Sequence, residues 1–396
     1  TTGPYPLNNT ITTSPSQNNL PNPNLKWEAN QAVNIGLDLG LFDQRITLTT
    51  EYYDNRSKDL LFDTRIPSSS GFVTQFQNIG TTLSRGLEFT LNTVNIKSTD
   101  FNWNTSFNIA FPKTKVLELS DGETSKIVNS YTTFNDYILQ VGQPVGIMYG
   151  YIADGLYQVN DFDFNAANNT YTLKAGIVKD NRAVQPGYQK FKDISGPDGV
   201  PDGVINDLDR TAIGNANPKY TGGSTNSLSY KNLDLSVFLN FAVGNDIYNA
   251  NVLNNAALSN DVKNTLSRFS ERWMTIDEAG KRVTDPVALA ALNQGKTIPS
   301  YIGMISDRPY NTMIEDGSFL RVNNVSLGYT LPKTLIKRAR INNARVYFTA
   351  YNLHVFTKYT GYDPEVSVIN NAITPGVDFS AYPRARSFVL GLNLSL

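Results

Sequence analysis

The densest set of side chains able to do chemistry is Asp193-Ile194-Ser195-Gly196-Pro197-Asp198-Gly199-Val200-Pro201-Asp202-Gly203-Val204-Ile205-Asn206-Asp207-Leu208-Asp209. Oxygen donors recur there at alternate positions about a glycine, the arrangement by which a calcium loop wraps a hard cation in carboxylates and carbonyls. In the best register Asp198 stands first, Asp202 fifth, Gly203 sixth, the Val204 carbonyl seventh, Asn206 ninth and Asp209 last. Val200 breaks the third place, and Asp209 is shorter than the usual closing Glu. The ion expected from this set is a structural clamp for a loop, not a catalyst. The competing expectation is an acidic turn closed by Asx hydrogen bonds with no ion.

Asp363 and Glu365 are two residues apart, which on a strand puts both carboxylates on one face, as a glycosidase pair would need. Their setting, Gly361-Tyr362-Asp363-Pro364-Glu365, reads more simply as a structural corner. The single His, His354, lies among aromatics and reads as a packed residue. With no Cys, thiolate chemistry, disulfides and Cys-based zinc or iron–sulfur sites are excluded. No catalytic residue is assigned and no enzyme is expected. Tyr131, Tyr137, Tyr149, Tyr151 and Tyr157 fall in one connecting region and offer faces for stacking sugar rings, with loop packing the plainer role for most. Tyr149, Tyr151 and Tyr157 are the candidates for substrate contact.

The elements that must position these groups are strands. Phe101, Trp103, Thr105, Phe107, Ile109 and Phe111 share one face, with Asn102, Asn104, Ser106, Asn108 and Ala110 on the other. The same period of two runs through Val33–Leu39, Ile46–Tyr52 after a Phe42-Asp43-Gln44 turn, Leu87–Asn92, Leu233–Ala242, Val325–Leu331 and Phe388–Leu396. The second faces carry small polar residues rather than Lys and Glu. No stretch has the roughly 18 consecutive apolar residues of a spanning helix, and Thr1–Leu20 has neither the basic nor the apolar region of a signal peptide. A net charge of −1, from 34 basic and 35 acidic residues, gives no electrostatic case for nucleic acid. Some connections are short; those at about 112–220 and 245–317 far exceed the usual length of about 4 to 6 residues. Long strands, turns at one end and long loops at the other predict an antiparallel transmembrane β-barrel in an outer membrane, in contact with its lipid. Trp103 and Tyr329 suit its interfacial girdles. Within the second long loop, Val262, Leu266, Phe269 and Trp273 follow helical spacing after Ser259-Asn260-Asp261 and predict a short packing helix.

Several blocks carry a family resemblance. They are Asn22-Pro23-Asn24-Leu25-Lys26-Trp27-Glu28, Asn78-Ile79-Gly80 leading to Arg85-Gly86-Leu87-Glu88-Phe89, and Gly142-Gln143-Pro144 before Tyr149-Gly150-Tyr151 and Asp154-Gly155-Leu156-Tyr157. Gly214-Asn215-Ala216-Asn217-Pro218, Ser318-Phe319-Leu320-Arg321-Val322, Gly361-Tyr362-Asp363-Pro364-Glu365 and Tyr382-Pro383-Arg384-Ala385-Arg386 follow. In this order they resemble the C-terminal part of SusC/RagA-type TonB-dependent outer-membrane transporters, over almost the whole chain. The resemblance implies a barrel of about 22 strands around a plug, a SusD-like surface lipoprotein as lid, and energy delivered by the TonB complex through the plug region.

By the alternation test this chain supplies about ten to twelve of those strands. The plug domain is absent from residues 1–396, so the chain is expected to be the C-terminal part of the barrel. An open half-barrel would leave unpaired edges in lipid, so these residues are not expected to stand alone in a membrane. The function implied is import of oligosaccharides or oligopeptides across the bacterial outer membrane. A surface adhesin or carbohydrate-binding β-protein without transport is the alternative.

Overall fold

The computed structural model describes the chain except residues 1, 8–9, 16–18, 73, 79, 120–121, 131–134, 255–265, 301–307, 338–339, 368–371 and 396. Nine strands form one continuous sheet: β1 (Ala29–Leu41), β2 (Ile46–Lys58), β3 (Gly80–Lys97), β4 (Phe101–Leu119), β5 (Tyr220–Tyr230), β6 (Leu233–Val243), β7 (Phe319–Thr330), β8 (Asn343–Thr357) and β9 (Ser387–Ser395). Each pairs antiparallel with its neighbours in sequence, so the sheet is a simple meander, the order in which an up-and-down barrel wall is laid. An N-terminal hairpin, Thr2–Leu7 with Thr10–Pro15, adds two strands that pair with each other. No described helix is long and apolar enough to cross a membrane.

The register makes the sheet two-faced across its whole width. Leu91 of β3 lies opposite Phe107, which is followed along the row by Ser224, Leu239 and Val322. Two residues away the row is Phe89, Ile109, Gly222, Phe241 and Leu320, ending at Phe356. Gly222 and Ser224 leave room over β5, and across that gap the rings of Phe107 and Phe241 stack at 6.3 Å. Phe348 and Phe388 stack at 6.0 Å farther along. At the short-turn end Trp103, Tyr230 and Tyr329 are exposed on this face, where an interfacial girdle belongs. His354 stands on the same apolar face and is exposed, its ring edge-on to Phe356 at 4.4 Å; it is not packed among aromatics as expected. A register shift beside it, between Val322 and Asn324, sets its place.

The opposite face is polar. Thr49 donates to Asp38 at 2.6 Å, and the hydroxyls of Ser326 and Thr349 bond at 2.9 Å. Arg345 forks onto Asp234, with Nε–Oδ1 2.9 Å and Nη2–Oδ2 2.5 Å. Gly328 lies between them, and a Cβ there would fall 2.3 Å from the guanidinium. A side chain there would push the guanidinium aside, so the glycine leaves room for the pair in this geometry.

Four connections run on one end of the sheet at 42–45, 98–100, 231–232 and 331–342, and four long ones on the other at 59–79, 120–219, 244–318 and 358–386. The first expected long loop shortens at its start, because β4 continues through Pro112 to Leu119 against β3. Proline and the lysines after it obscure the alternation there. The long connections build a cap with its own sheets, one of four strands (Ser125–Val128, Tyr137–Gln140, Ile147–Gly150, Thr211–Asn215) and one of three (Asp246–Asn249, Ile314–Asp316, Val377–Asp378). The hydrophobic core lies here: Tyr137, Leu139, Met148, Phe191, Ile205, Tyr248, Met313 and Val377 are at most 2% exposed.

The expected packing helix lies partly outside the described residues, which exclude Ser259, Asn260, Asp261 and Val262. Its described remainder is a 3-10 turn, Ser267–Glu271, and the chain is extended by Arg272. Trp273 leaves the helical path because its N–H donates to Ile298 at 2.9 Å.

Candidate functional site

Asp363 and Glu365 are brought together by β7. Arg321, 3% exposed near the cap end of that strand, donates from Nη2 to Asp363 at 2.5 Å and from Nε to Glu365 at 2.7 Å. Arg384 adds a contact to Glu365 at 3.2 Å, Asn240 of β6 reaches the same carboxylate at 3.3 Å, and the Glu365 N–H donates to Asp363. Both carboxylates are acceptors in a charge-assisted network that clamps the 358–386 connection onto the polar face of the sheet. The Gly-Tyr-Asp-Pro-Glu corner and the Arg that anchors it come from different blocks of sequence, and only the strand register joins them.

The three tyrosine candidates sit in the cap. Tyr151 and Tyr157 are 3% and 1% exposed, so neither ring presents a face to solvent. Tyr151 donates to Asp207 at 3.1 Å and lies between two cations, with Arg308 5.0 Å and Arg210 5.9 Å from its ring centre. Burial pushes its hydroxyl up to about 12. Tyr157 donates to the Val178 carbonyl at 2.9 Å, and burial likewise raises its pKa. Tyr149 is partly exposed and carries the Arg210 guanidinium 4.7 Å from its ring. Tyr137 is fully buried, and Tyr131 lies outside the described residues.

In the acidic loop the carboxylates face backbone donors. Asp209, fully buried, accepts from Ile194 at 2.9 Å and Ser195 at 3.2 Å through Oδ1, and from Asn206 at 2.8 Å through Oδ2. Asn206 caps the following turn by accepting from Leu208, Asp202 accepts from Val204, and Asp193 accepts from Asp202 and Gly203. Asp198 is exposed. Among the described residues no three of His, Cys, Asp and Glu converge as metal ligands. As folded, the side chains of Asp193, Asp202, Asn206 and Asp209 accept from backbone N–H groups and close the acidic turn by Asx hydrogen bonds.

Sequence reasoning missed the cations that organise the cap. Arg308, 7% exposed, pairs with Asp180 at 2.8 Å and with Asn181 at 2.6 Å. No local pattern marks it, since its partners lie more than a hundred residues away. The helix Pro286–Leu292 was missed too, although it carries a local signal: Asp285 precedes Pro286 as an N-cap, and its side chain accepts from Ala288 at 2.9 Å.

The two-faced meander with a one-sided cap defines an outer-membrane β-barrel wall. The family described as TonB dependent receptor-like, beta-barrel, matches residues 2–353, and the chain belongs to it. Such receptors reside in the bacterial outer membrane. It is similar to TonB-dependent receptor P3 of Formosa agariphila, 32% identical over 94% of this chain and 34% of that protein. It is 30% identical to TonB-dependent receptor SusC of Bacteroides thetaiotaomicron, over 98% of this chain and 34% of that protein. In structure it resembles a chain of the RagAB peptide transporter, with a TM-score of 0.72 at 24% identity, covering all of this chain and 38% of the other. The chain thus spans about a third of the length of the curated relatives it matches.

Proposed function

We propose that this chain forms part of the wall and the outer loops of a SusC/RagA-type TonB-dependent transporter that imports oligosaccharides or oligopeptides with a SusD-like surface lipoprotein. The observation that carries the reading is the sheet itself, apolar on one face and lined on the other with hydroxyls, amides and paired charges, under a cap folded at one end only. The apolar face would meet lipid and the polar face would line the lumen. The relatives support the direction: one is named SusC, and the solved RagAB complex is described as a peptide transporter.

In this reading the wall is rigid and does no covalent chemistry. The Arg321 clamp holds the last long connection against the lumen, and ligand is enclosed between the outer loops and the lipoprotein lid. The plug and the TonB contact fall to the two thirds of the relatives that this chain does not span. The Asp193–Asp209 loop serves as a self-closed turn in the cap. Deleting the gene should abolish uptake of at least one class of labelled oligosaccharide or oligopeptide, and a protonophore should stop the same uptake in intact cells. Unchanged uptake with loss of surface binding would contradict transport and favour an adhesin.

A further inference from the structure

At the cap end β4 continues to Leu119, beyond the start of β5 at Tyr220, and β2 and β3 rise with it. The inner side of this extension belongs to the cap: Thr114 accepts from the Val145 N–H at 3.2 Å, and Val116 is 1% exposed. The other side continues the apolar face of the sheet. Phe89, Phe111, Tyr220 and Phe241 follow one another across it, with ring centres 6.0 to 6.3 Å apart, as an aromatic belt where the apolar rows end.

Past the belt the same face turns basic. The register sets Asp54, Arg85 and Lys113 in one row and Arg56, Leu83 and Lys115 in the next. On tilted strands both rows come within about 10 Å of the belt, in reach of the polar layer of a bilayer for side chains of this length. Arg56, exposed, meets Asp54 with Nε–Oδ1 at 3.3 Å. Arg85, Lys113 and Lys115 are also exposed, and among the described residues they form no ion pair. One row farther, after a register shift at Thr81, Lys58 and Glu118 offset each other in charge. The two rows nearest the belt therefore set four cations against a single carboxylate.

We propose that this patch holds an anionic lipid of the outer leaflet, a phosphorylated glycolipid. Its phosphates would be taken by Arg56, Arg85, Lys113 and Lys115, and its acyl chains would lie on Leu87, Phe89 and Phe111. Charge complementarity and position select this occupant. Cations above an exposed apolar surface match a molecule with an anionic head and hydrocarbon tails, whereas a soluble anion would leave Leu87 and Phe111 uncovered. The proposal rests on the reading in which the apolar face meets lipid, and it adds a preference for one kind of lipid. Bound there, the glycolipid would tie β2, β3 and β4 together at the level where β4 enters the cap.

The test is native mass spectrometry of the purified full-length protein, titrated in detergent with lipid A bearing two phosphates and with the same lipid fully dephosphorylated. The phosphorylated lipid should bind about tenfold more tightly or better, since each cation near an anionic headgroup is worth about fivefold. Replacing two cations, as Arg85→Gln with Lys113→Gln, should lower its affinity on the order of 25-fold. Arg85→Lys with Lys113→Arg keeps both charges at the same exposed positions and should preserve the affinity, which separates loss of charge from loss of fold. Equal binding of the two lipids, or an unchanged preference in the Gln pair, overturns the proposal. Uptake by the gene-deletion strain separates the two claims: if uptake is lost on deletion but the protein shows no preference for phosphate, only the lipid proposal falls.

Discussion

The wall and the cap are held together by opposite means. In the wall, β1 and β9 are exposed along almost their whole length, with Ile35 at 66% and Leu390 at 77%, and order comes from ladder hydrogen bonds and cross-strand pairs. In the cap, aromatic and aliphatic side chains are fully buried around short strands, as in a soluble domain. Of the largest fully buried side chains among the described residues, only Val116 belongs to a wall strand, at the end where β4 enters the cap. The difference teaches that the wall is designed for two solvents and needs both, whereas the cap carries its own core.

The sharpest way to break the comparison is at the joint between the two. Arg321→Met removes the cation from a buried carboxylate pair and should destabilise the attachment of the 358–386 connection by about 3–5 kcal/mol. Limited proteolysis should then cut within that connection while the sheet remains intact. A smaller effect is expected within the wall. Leu239→Arg on the apolar face should cost about 2–4 kcal/mol in a bilayer, while Ser106→Lys on the polar face should stay within about 0.5 kcal/mol. Unfolding from lipid bilayers measures both.

The cap should respond to alkali. Tyr151 and Tyr310 are each pushed up to about 12 by burial. A phenol raised in the folded state contributes stability that is full below the unfolded value of about 10 and is lost as pH rises through 12. Phenolate absorbance should therefore lag behind that of free tyrosine, and Tyr151→Phe should weaken the alkaline loss of cap structure. The smallest effect is expected from calcium. Because Asp209 and Asp202 already serve backbone donors, millimolar calcium should leave the cap's melting temperature unchanged, and a clear rise would restore the clamp expected from spacing.

The two regions also differed in how far they could be read from sequence. Period two shows in Phe101–Phe111 because a wall strand has one environment on each face along its whole length, so composition reports geometry directly. The cap has no such regularity. Tyr151 and Tyr157 look like ring-stacking platforms in a polar loop, yet they are buried because strands distant in sequence close over them. Arg321 and Asp363 lie 42 residues apart and meet only through the register of β7 with its neighbours. Trp273 has helical spacing from Phe269, but a bond to Ile298 wins, and long-range pairing of that kind leaves no local trace.

The central claim is that the sheet separates two environments, residue by residue. The chain contains no cysteine, so single substitutions at Leu235, Ser236, Val237, Phe238, Leu239 and Asn240 of β6 give a clean probe. Labelled in outer-membrane vesicles with a water-soluble thiol reagent, Ser236, Phe238 and Asn240 should react and Leu235, Val237 and Leu239 should not. Uniform labelling along the strand would contradict the account, because it would place both faces of the sheet in water.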